Sequence, residues 1–342
     1  MIFPTPLPIA RYRFTFRVTE AIRLPDYAGS TLRGGFGHAL RQLACVVPQM
    51  QCAGCSLIDQ CPYPQIFAPH DIPRKTDAFS TIRSIPVPYI IEPPSRGETH
   101  YETDSEITFC MVLMGKALQQ LPIIILAWRR AFLRGISKTR GKAELITVDW
   151  MSPDGTAKTV YSEQSPVIAP HSPALSIPVD IEKRDFYVHF VTPLRLQHQG
   201  KILGAREMNP AILLRNLIRR VSLLLQFHLG QTEPFPMESI RAFNALADSL
   251  EDKRRLAWRN CERYSSRQRQ KTPLSGLEGY WLLRNLPVEL FPFLYLGQWL
   301  HVGKETMFGL GHYRLVNEGW KYFDTDLQNN RWPYHTKQGR HS

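Results

Sequence analysis

Strand, helix, strand, strand, helix, strand: this order runs through residues 11–150 and begins again near residue 181. In residues 11–20, RYRFTFRVTE, apolar and polar side chains alternate with the period of a half-buried strand. Residues 29–45, GSTLRGGFGHALRQLAC, place Leu32, Phe36, Leu40 and Leu43 at helical spacing, with Ser30 positioned to cap. PVPYIIEPP and EITFCMVLMG read as strands. KALQQLPIIILAWRRAFLR reads as a helix with Pro122 near its first turns, and AELITVDW as a strand.

In the second unit DFYVHFVTPLRL is a strand, and Asn209 and Pro210 open an apolar helix. NCERYSSRQRQ and LEGYWLL form a strand pair around TPLSG, LFPFLYLGQWL a short helix and HYRLV a closing strand. Two β-α-β-β-α-β units predict an α+β chain of two tandem ferredoxin-like, or RRM-like, domains. The first spans residues 1–151, with a cysteine-rich insertion at about 46–85. A linker covers 152–180. The second spans 181–318 and ends in a glycine-rich loop, and 319–342 form a tail.

A chain of 342 residues is long enough for two cores, and its 43% hydrophobic content is that of a globular protein. Its net charge of +12 points to a polyanionic partner, with nucleic acid first and an acidic membrane surface second. The most apolar run, LPIIILAW, is far too short to span a bilayer. The start, MIFPTPLPIARYRF, lacks the pattern of a secretory leader, so a cytoplasmic location is expected. Cys52, Cys55 and Cys61 follow Cys45 with one C-x2-C pair, a metal knuckle suited to a structural Zn²⁺. An iron–sulfur cluster, reduced thiols or a redox disulfide are the alternatives. Cys110 and Cys261 stand alone in strand patterns and read as core thiols.

Four stretches carry a resemblance. VGKETMFGLGHYRL resembles the C-terminal glycine-rich loop of the repeat-associated RNA-binding (RAMP) proteins of CRISPR systems. ERYSSRQRQ with GLEGYWLL, and GSTLRGGFGHALR with CAGCSLIDQCPY, resemble the Cas6 branch, in particular its cysteine-bearing subgroup. The similarity covers about residues 10–316. It implies a CRISPR precursor-RNA endoribonuclease that cuts within each repeat and needs no metal or other cofactor for catalysis. The 2′-hydroxyl attacks the scissile phosphate, leaving 2′,3′-cyclic phosphate and 5′-hydroxyl ends. The implied partners are precursor and mature guide RNA and other CRISPR effector subunits. The alternative is a non-cleaving RNA-binding subunit of an effector complex.

That chemistry needs a proton-transfer group and a cation on the transition state. His38 lies about 200° round the first helix from Phe36, outside the apolar stripe, with Arg41 and Gln42 on its own face. It is the first candidate for general acid or base, and a solvated surface histidine is the plain alternative. Lys304 is the candidate for transition-state charge, and His312 the second catalytic candidate, better suited to base stacking or phosphate contact. His189 and His228 read as structural. Backbone N–H groups at Gly303, Gly309 and Gly311, with Lys304, are expected to grip phosphates. A turn that serves only the fold is the alternative. Arg263, Tyr264, Arg267, Arg269 and Lys271, with the cations on one face by parity, are the expected RNA groove, beside Arg41. The loop 134–142, RGISKTRGK, is a weaker basic candidate.

Overall fold

The structure is a computed structural model that describes residues 6–47, 51–69, 85–179, 181, 184–230, 235–265 and 270–316. In the first unit, β1 (Ile9–Val18) leads to α1 (Gly29–Ala44), β2 (Tyr89–Glu92), β3 (Glu106–Met114), α2 (Leu121–Leu133), β4 (Ala143–Met151) and β5 (Ala157–Ser162). The sheet order is β2-β3-β1-β4-β5, with every pair antiparallel. The first four strands therefore have the ferredoxin-like arrangement, and β5 widens the sheet at its β4 edge. Residues 152–180 thus contain a strand where a linker was expected.

The alternation of β1 sends Tyr12, Phe14 and Phe16 to the helical face, where all three are buried. Phe14 stacks on Phe109 at 5.4 Å, Phe109 meets Trp128 of α2 at 4.5 Å, and Trp128 stacks on Phe36 of α1 at 5.0 Å. This aromatic column joins sheet to both helices. The N-cap of α1 is Ala28, without a side-chain cap, so Ser30 lies inside the helix and does not cap it.

The second unit contains β6 (Phe186–Leu194), α3 (Pro210–His228), α4 (Met237–Asp248), β7 (Glu251–Arg259), β8 (Gly276–Arg284), α5 (Phe291–Leu300) and β9 (Tyr313–Val316). Its antiparallel sheet runs β7-β8-β6-β9, again ferredoxin-like. Asn209 Oδ1 accepts from Ile212 N at 2.9 Å and caps α3, with Pro210 beginning the helix as expected. The expected strand pair is corrected. Glu262–Ser265 pairs with Gln270–Pro273 as a small separate hairpin, while β8 pairs with β7. The sequence EDKRRLAWR hid β7 because an edge strand tolerates charge on both faces. Here Asp252 accepts from Trp281 Nε1 at 2.7 Å and Leu256 packs on the core.

The two units share a core. Ile9, Ile90, Val112 and Met114, on the first sheet's face away from α1 and α2, pack into one cluster with α3 and α5. The helices of the second unit therefore lie against the first sheet. No helix among the described residues is long and apolar enough to cross a membrane.

Candidate functional site

His38 is exposed on α1, while Leu32, Phe36, Ala39 and Leu40 are buried, as the stripe predicts. One turn on, Gln42 Nε2 lies 2.9 Å from His38 Nε2. Arg134, just past α2, donates through Nη1 to Gln42 Oε1. The amide that orients the imidazole is thus itself held by a cation. Loop 134–142 begins at this arginine, and its Ile136 packs against Gly35 of α1. The basic loop ranked second on sequence is the one that reaches the histidine. Lys138 and Arg140 are exposed on it. Arg41 is also exposed, and its guanidinium lies 5.9 Å from the Tyr63 ring.

The glycine-rich loop serves a different purpose from the one expected. Gly303, Gly309 and Gly311 all have positive φ. A Cβ on Gly303 would fall 2.4 Å from Arg195 O, and one on Gly311 only 1.8 Å from Val302 O. The close approach is to the protein's own backbone. The N–H groups are engaged as well: Lys304 N donates to Arg195 O (2.9 Å), Gly309 N to Thr306 O (2.8 Å) and Gly311 N to Pro193 O (3.0 Å). Donors already bonded inside the chain do not cradle a phosphate, so that expectation is corrected for Gly309 and Gly311. The loop instead clasps the first unit. Tyr27 Oη donates to Phe308 O at 2.9 Å, at the N-terminus of α1. The Lys304 side chain is exposed, but the loop's contact with α1 at Gly29 is nine residues before His38, about 13 Å along the helix.

His312 does not face solvent. Its side chain is 12% exposed and its ring stacks on His301 at 4.6 Å with an interplanar angle of 1°. Both imidazoles point at Glu92 Oε1, from 3.0 Å for His301 and 3.9 Å for His312. Arg11 completes the group, donating from Nε to Oε2 and from Nη2 to Oε1, both at 2.8 Å, and from Nη2 to Gln298 O at 2.9 Å. Burial alone would raise the Glu92 carboxyl, but Arg11 and the two imidazoles hold it well below the usual range. Burial pushes both imidazoles down, His312 strongly. Base stacking or proton transfer on RNA therefore does not suit His312 in this position. Sequence reasoning missed Glu92, His301 and Arg11. One available signal was Glu92, an acid at the end of an apolar strand.

His189 and His228 are structural in setting. His189 stacks on Tyr280 at 4.3 Å, and His228 Nε2 lies 2.6 Å from Pro86 O. Burial pushes both down to about 4. Cys110 and Cys261 lie within the two units' strand regions, and burial raises both thiols.

Of the expected basic groove, Arg267 and Arg269 lie outside the described residues. Arg263, Tyr264 and Lys271 belong to the hairpin. Its register pairs Tyr264 with Lys271 and Arg263 with Thr272. The chain reverses between them, so a parity count carried straight from 263 to 271 does not hold. Cys45, Cys52, Cys55 and Cys61 are half-buried, and none of the four is in a disulfide. Cys55 N donates to Cys52 O at 3.0 Å, closing a turn between that pair. The Cys61 thiol is raised by burial first, then by nearby Cys45 and Cys55. Among the described residues, however, the one set of three potential metal ligands within 4.8 Å of one another is Glu92, His301 and His312.

Two ferredoxin-like units, the second ending in a glycine-rich clasp onto the first, are the frame for comparison with known proteins. A family model described as CRISPR-associated endoribonuclease Cas6 matches residues 188–313, and one described as an N-terminal domain matches residues 7–173. An uncharacterized protein of Archaeoglobus fulgidus is 24% identical over 301 residues, 85% of this chain and 92% of its own length. A Cas6 product complex is similar in fold, with a TM-score of 0.54 at 15% identity, covering 90% of this chain and 99% of the other. A chain of a partial Cas6-RT-Cas1–Cas2 complex also gives 0.54, at 14% identity, over 93% of this chain and 47% of its own. Residues 188–313 thus match the Cas6 family model, and the chain is similar to Cas6 proteins in fold.

Proposed function

We propose that this chain is a CRISPR precursor-RNA endoribonuclease that cuts within repeats, by attack of the RNA's own 2′-hydroxyl. The observation that carries this is His38, exposed on α1, oriented by Gln42 and neighboured by Arg134. A positioned imidazole can take the proton of the 2′-hydroxyl or give one to the departing 5′-oxygen. A guanidinium beside it can offset charge on the pentavalent transition state. Arg134 is better placed for that than Lys304, which the clasp holds near the other end of α1. The reaction draws its nucleophile from the substrate, so it requires no metal at the scissile phosphate. The products are 2′,3′-cyclic phosphate and 5′-hydroxyl ends.

The RNA path would run over the cations beside His38, namely Arg41, Arg134, Lys138 and Arg140, and extend to the hairpin of Arg263 and Lys271. Guide RNA is the primary partner, and other CRISPR proteins are expected to join through it. A structural Zn²⁺ on Cys45, Cys52, Cys55 and Cys61 would brace the end of α1 just beyond His38. The test is incubation with an array transcript in EDTA and analysis of the fragment ends. The proposal requires cyclic phosphate ends and no cleavage when the nucleotide before the scissile phosphate is 2′-deoxy. Tight binding without cutting would instead establish a non-cleaving RNA-binding subunit.

A further inference from the structure

We infer that the RNA strand beside the scissile phosphate lies directly on the backbone of α1 at Gly34, so that this glycine seats the substrate against His38. The inference rests on the RNA-cutting reading above and adds a contact to it. It begins from the glycines of α1, namely Gly29, Gly34, Gly35 and Gly37. Packing within the chain explains three of them. A Cβ on Gly29 would fall 2.0 Å from Phe308 O of the clasp, one on Gly37 2.2 Å from the Phe67 ring, and one on Gly35 3.2 Å from Ile136 Cδ1. Gly34 is different. A Cβ there would meet nothing within 4 Å, and its φ is not positive.

Nothing in the fold therefore requires glycine at this position. Glycine in a helix interior also destabilises the helix relative to alanine, because its backbone loses more freedom on folding. The chain carries that disadvantage on an exposed turn of α1, where alanine would fit. What glycine alone offers there is a bare backbone that a ligand can approach closely.

The second observation is where this bare backbone lies. Gly34, His38 and Arg41 follow one another at i, i+4 and i+7, which places them within about 40° round the helix. All three are exposed. Gly34 comes one turn before His38, about 6 Å along the axis. The cations Arg41 and Arg134 lie on the other side, where Arg134 holds the Gln42 amide that orients the imidazole. Cations fix a nucleic acid by its phosphates. A strand held by them and presented to His38 continues over the turn that bears Gly34. A side chain at that point would stand between strand and helix and lift the 2′-hydroxyl and scissile phosphate away from the imidazole. The contact is with the sugar–phosphate backbone, so it favours no particular base.

The experiment uses the full chain and an array transcript containing one repeat. Gly34→Ala should raise the urea unfolding midpoint, because alanine favours the helix and its Cβ meets no neighbour. The same variant should slow single-turnover cleavage at saturating protein by about 10-fold, and Gly34→Leu by about 100-fold, the loss that a misplacement of about 1 Å brings. Gly34→Leu should also lose affinity for a transcript made uncleavable by a 2′-deoxy nucleotide before the scissile phosphate. A gain in stability with a loss of activity separates a substrate contact from damage to the fold, which would lower both. Wild-type cleavage and affinity in folded Gly34→Leu, or a lowered midpoint in Gly34→Ala, would overturn the inference and leave the proposed reaction standing. A wild-type chain that binds the transcript without cutting it would remove the reaction instead, and the affinity of Gly34→Leu would then decide the inference.

Discussion

Replacing Glu92 by alanine should be among the most destabilising single changes in the chain. It removes both carboxylate partners of Arg11 and leaves only Gln298 O. Stranding one member of a buried ion pair costs about 3–5 kcal/mol. The Arg11 side chain keeps 21% exposure, so water can reach part of it, and the lower end, about 3 kcal/mol, is expected. That is a large fraction of the roughly 5–15 kcal/mol holding a typical protein folded. Arg11→Met alone should also cost stability, because the buried Glu92 carboxylate then keeps only the two imidazoles as polar neighbours. The double variant should cost about 2 kcal/mol less than the sum, since neither partner is then stranded. The assay is urea unfolding followed by both far-UV circular dichroism and tryptophan fluorescence. Coincident transitions would show that the two units unfold together across this contact. Single losses under about 1 kcal/mol, or additivity in the double variant, would refute the view that this pair is a buried tie between units.

His38→Ala should slow cleavage by roughly 10²–10⁴-fold while RNA affinity hardly changes, as single-turnover and binding assays will show; normal cleavage would remove His38 from the mechanism. Charge reversal at Arg134 and Lys138 should weaken RNA binding and flatten the slope of log K against log salt, and the same change at Arg263 and Lys271 tests whether the hairpin shares the path. Cys52→Ser with Cys55→Ser should lower thermal stability and bound zinc if the thiols hold a structural ion, and full stability would make them bystanders. His189 and His228, neutral when folded down to about pH 4, favour folding above the unfolded value near 6.5. Each should therefore cost up to about 3 kcal/mol as pH falls from about 6.5 to 4, because only the unfolded chain takes up protons there. His228→Gln should shrink that loss in acid unfolding curves.

The sequence revealed whatever was written locally. The period of Tyr12, Phe14 and Phe16, the helical stripe from Leu32 to Leu40, and the Asn209–Pro210 opening of α3 all appear as they read. The exposed position of His38 followed from that same stripe. What stayed hidden depends on distant partners. The charges of β7 conceal its alternation because it is an edge strand. The glycines of the last loop do need positive φ, but no local signal told whether RNA or the protein's own backbone fills the space. His312 read as an RNA contact because the acid it faces lies in another unit of the fold. Residues 152–180 read as a linker because Ala157–Ser162 carries few apolar residues, as an outer strand may.

The tie between Arg11 and the α5 carbonyl of Gln298 spans 287 residues, and that between Glu92 and His301 spans 209. During synthesis from the N-terminus, the first sheet can therefore assemble long before its second covering layer exists. Until α3 and α5 emerge, Ile9, Ile90, Val112 and Met114 face water on a broad apolar surface, with a charged pair at its edge. The second sheet waits longer still, because β6 needs β9 as a neighbour. A ribosome carrying the half-made chain thus displays a sticky surface for much of the elongation time, so pauses within the second unit should make aggregation or chaperone capture more frequent than pauses within the first.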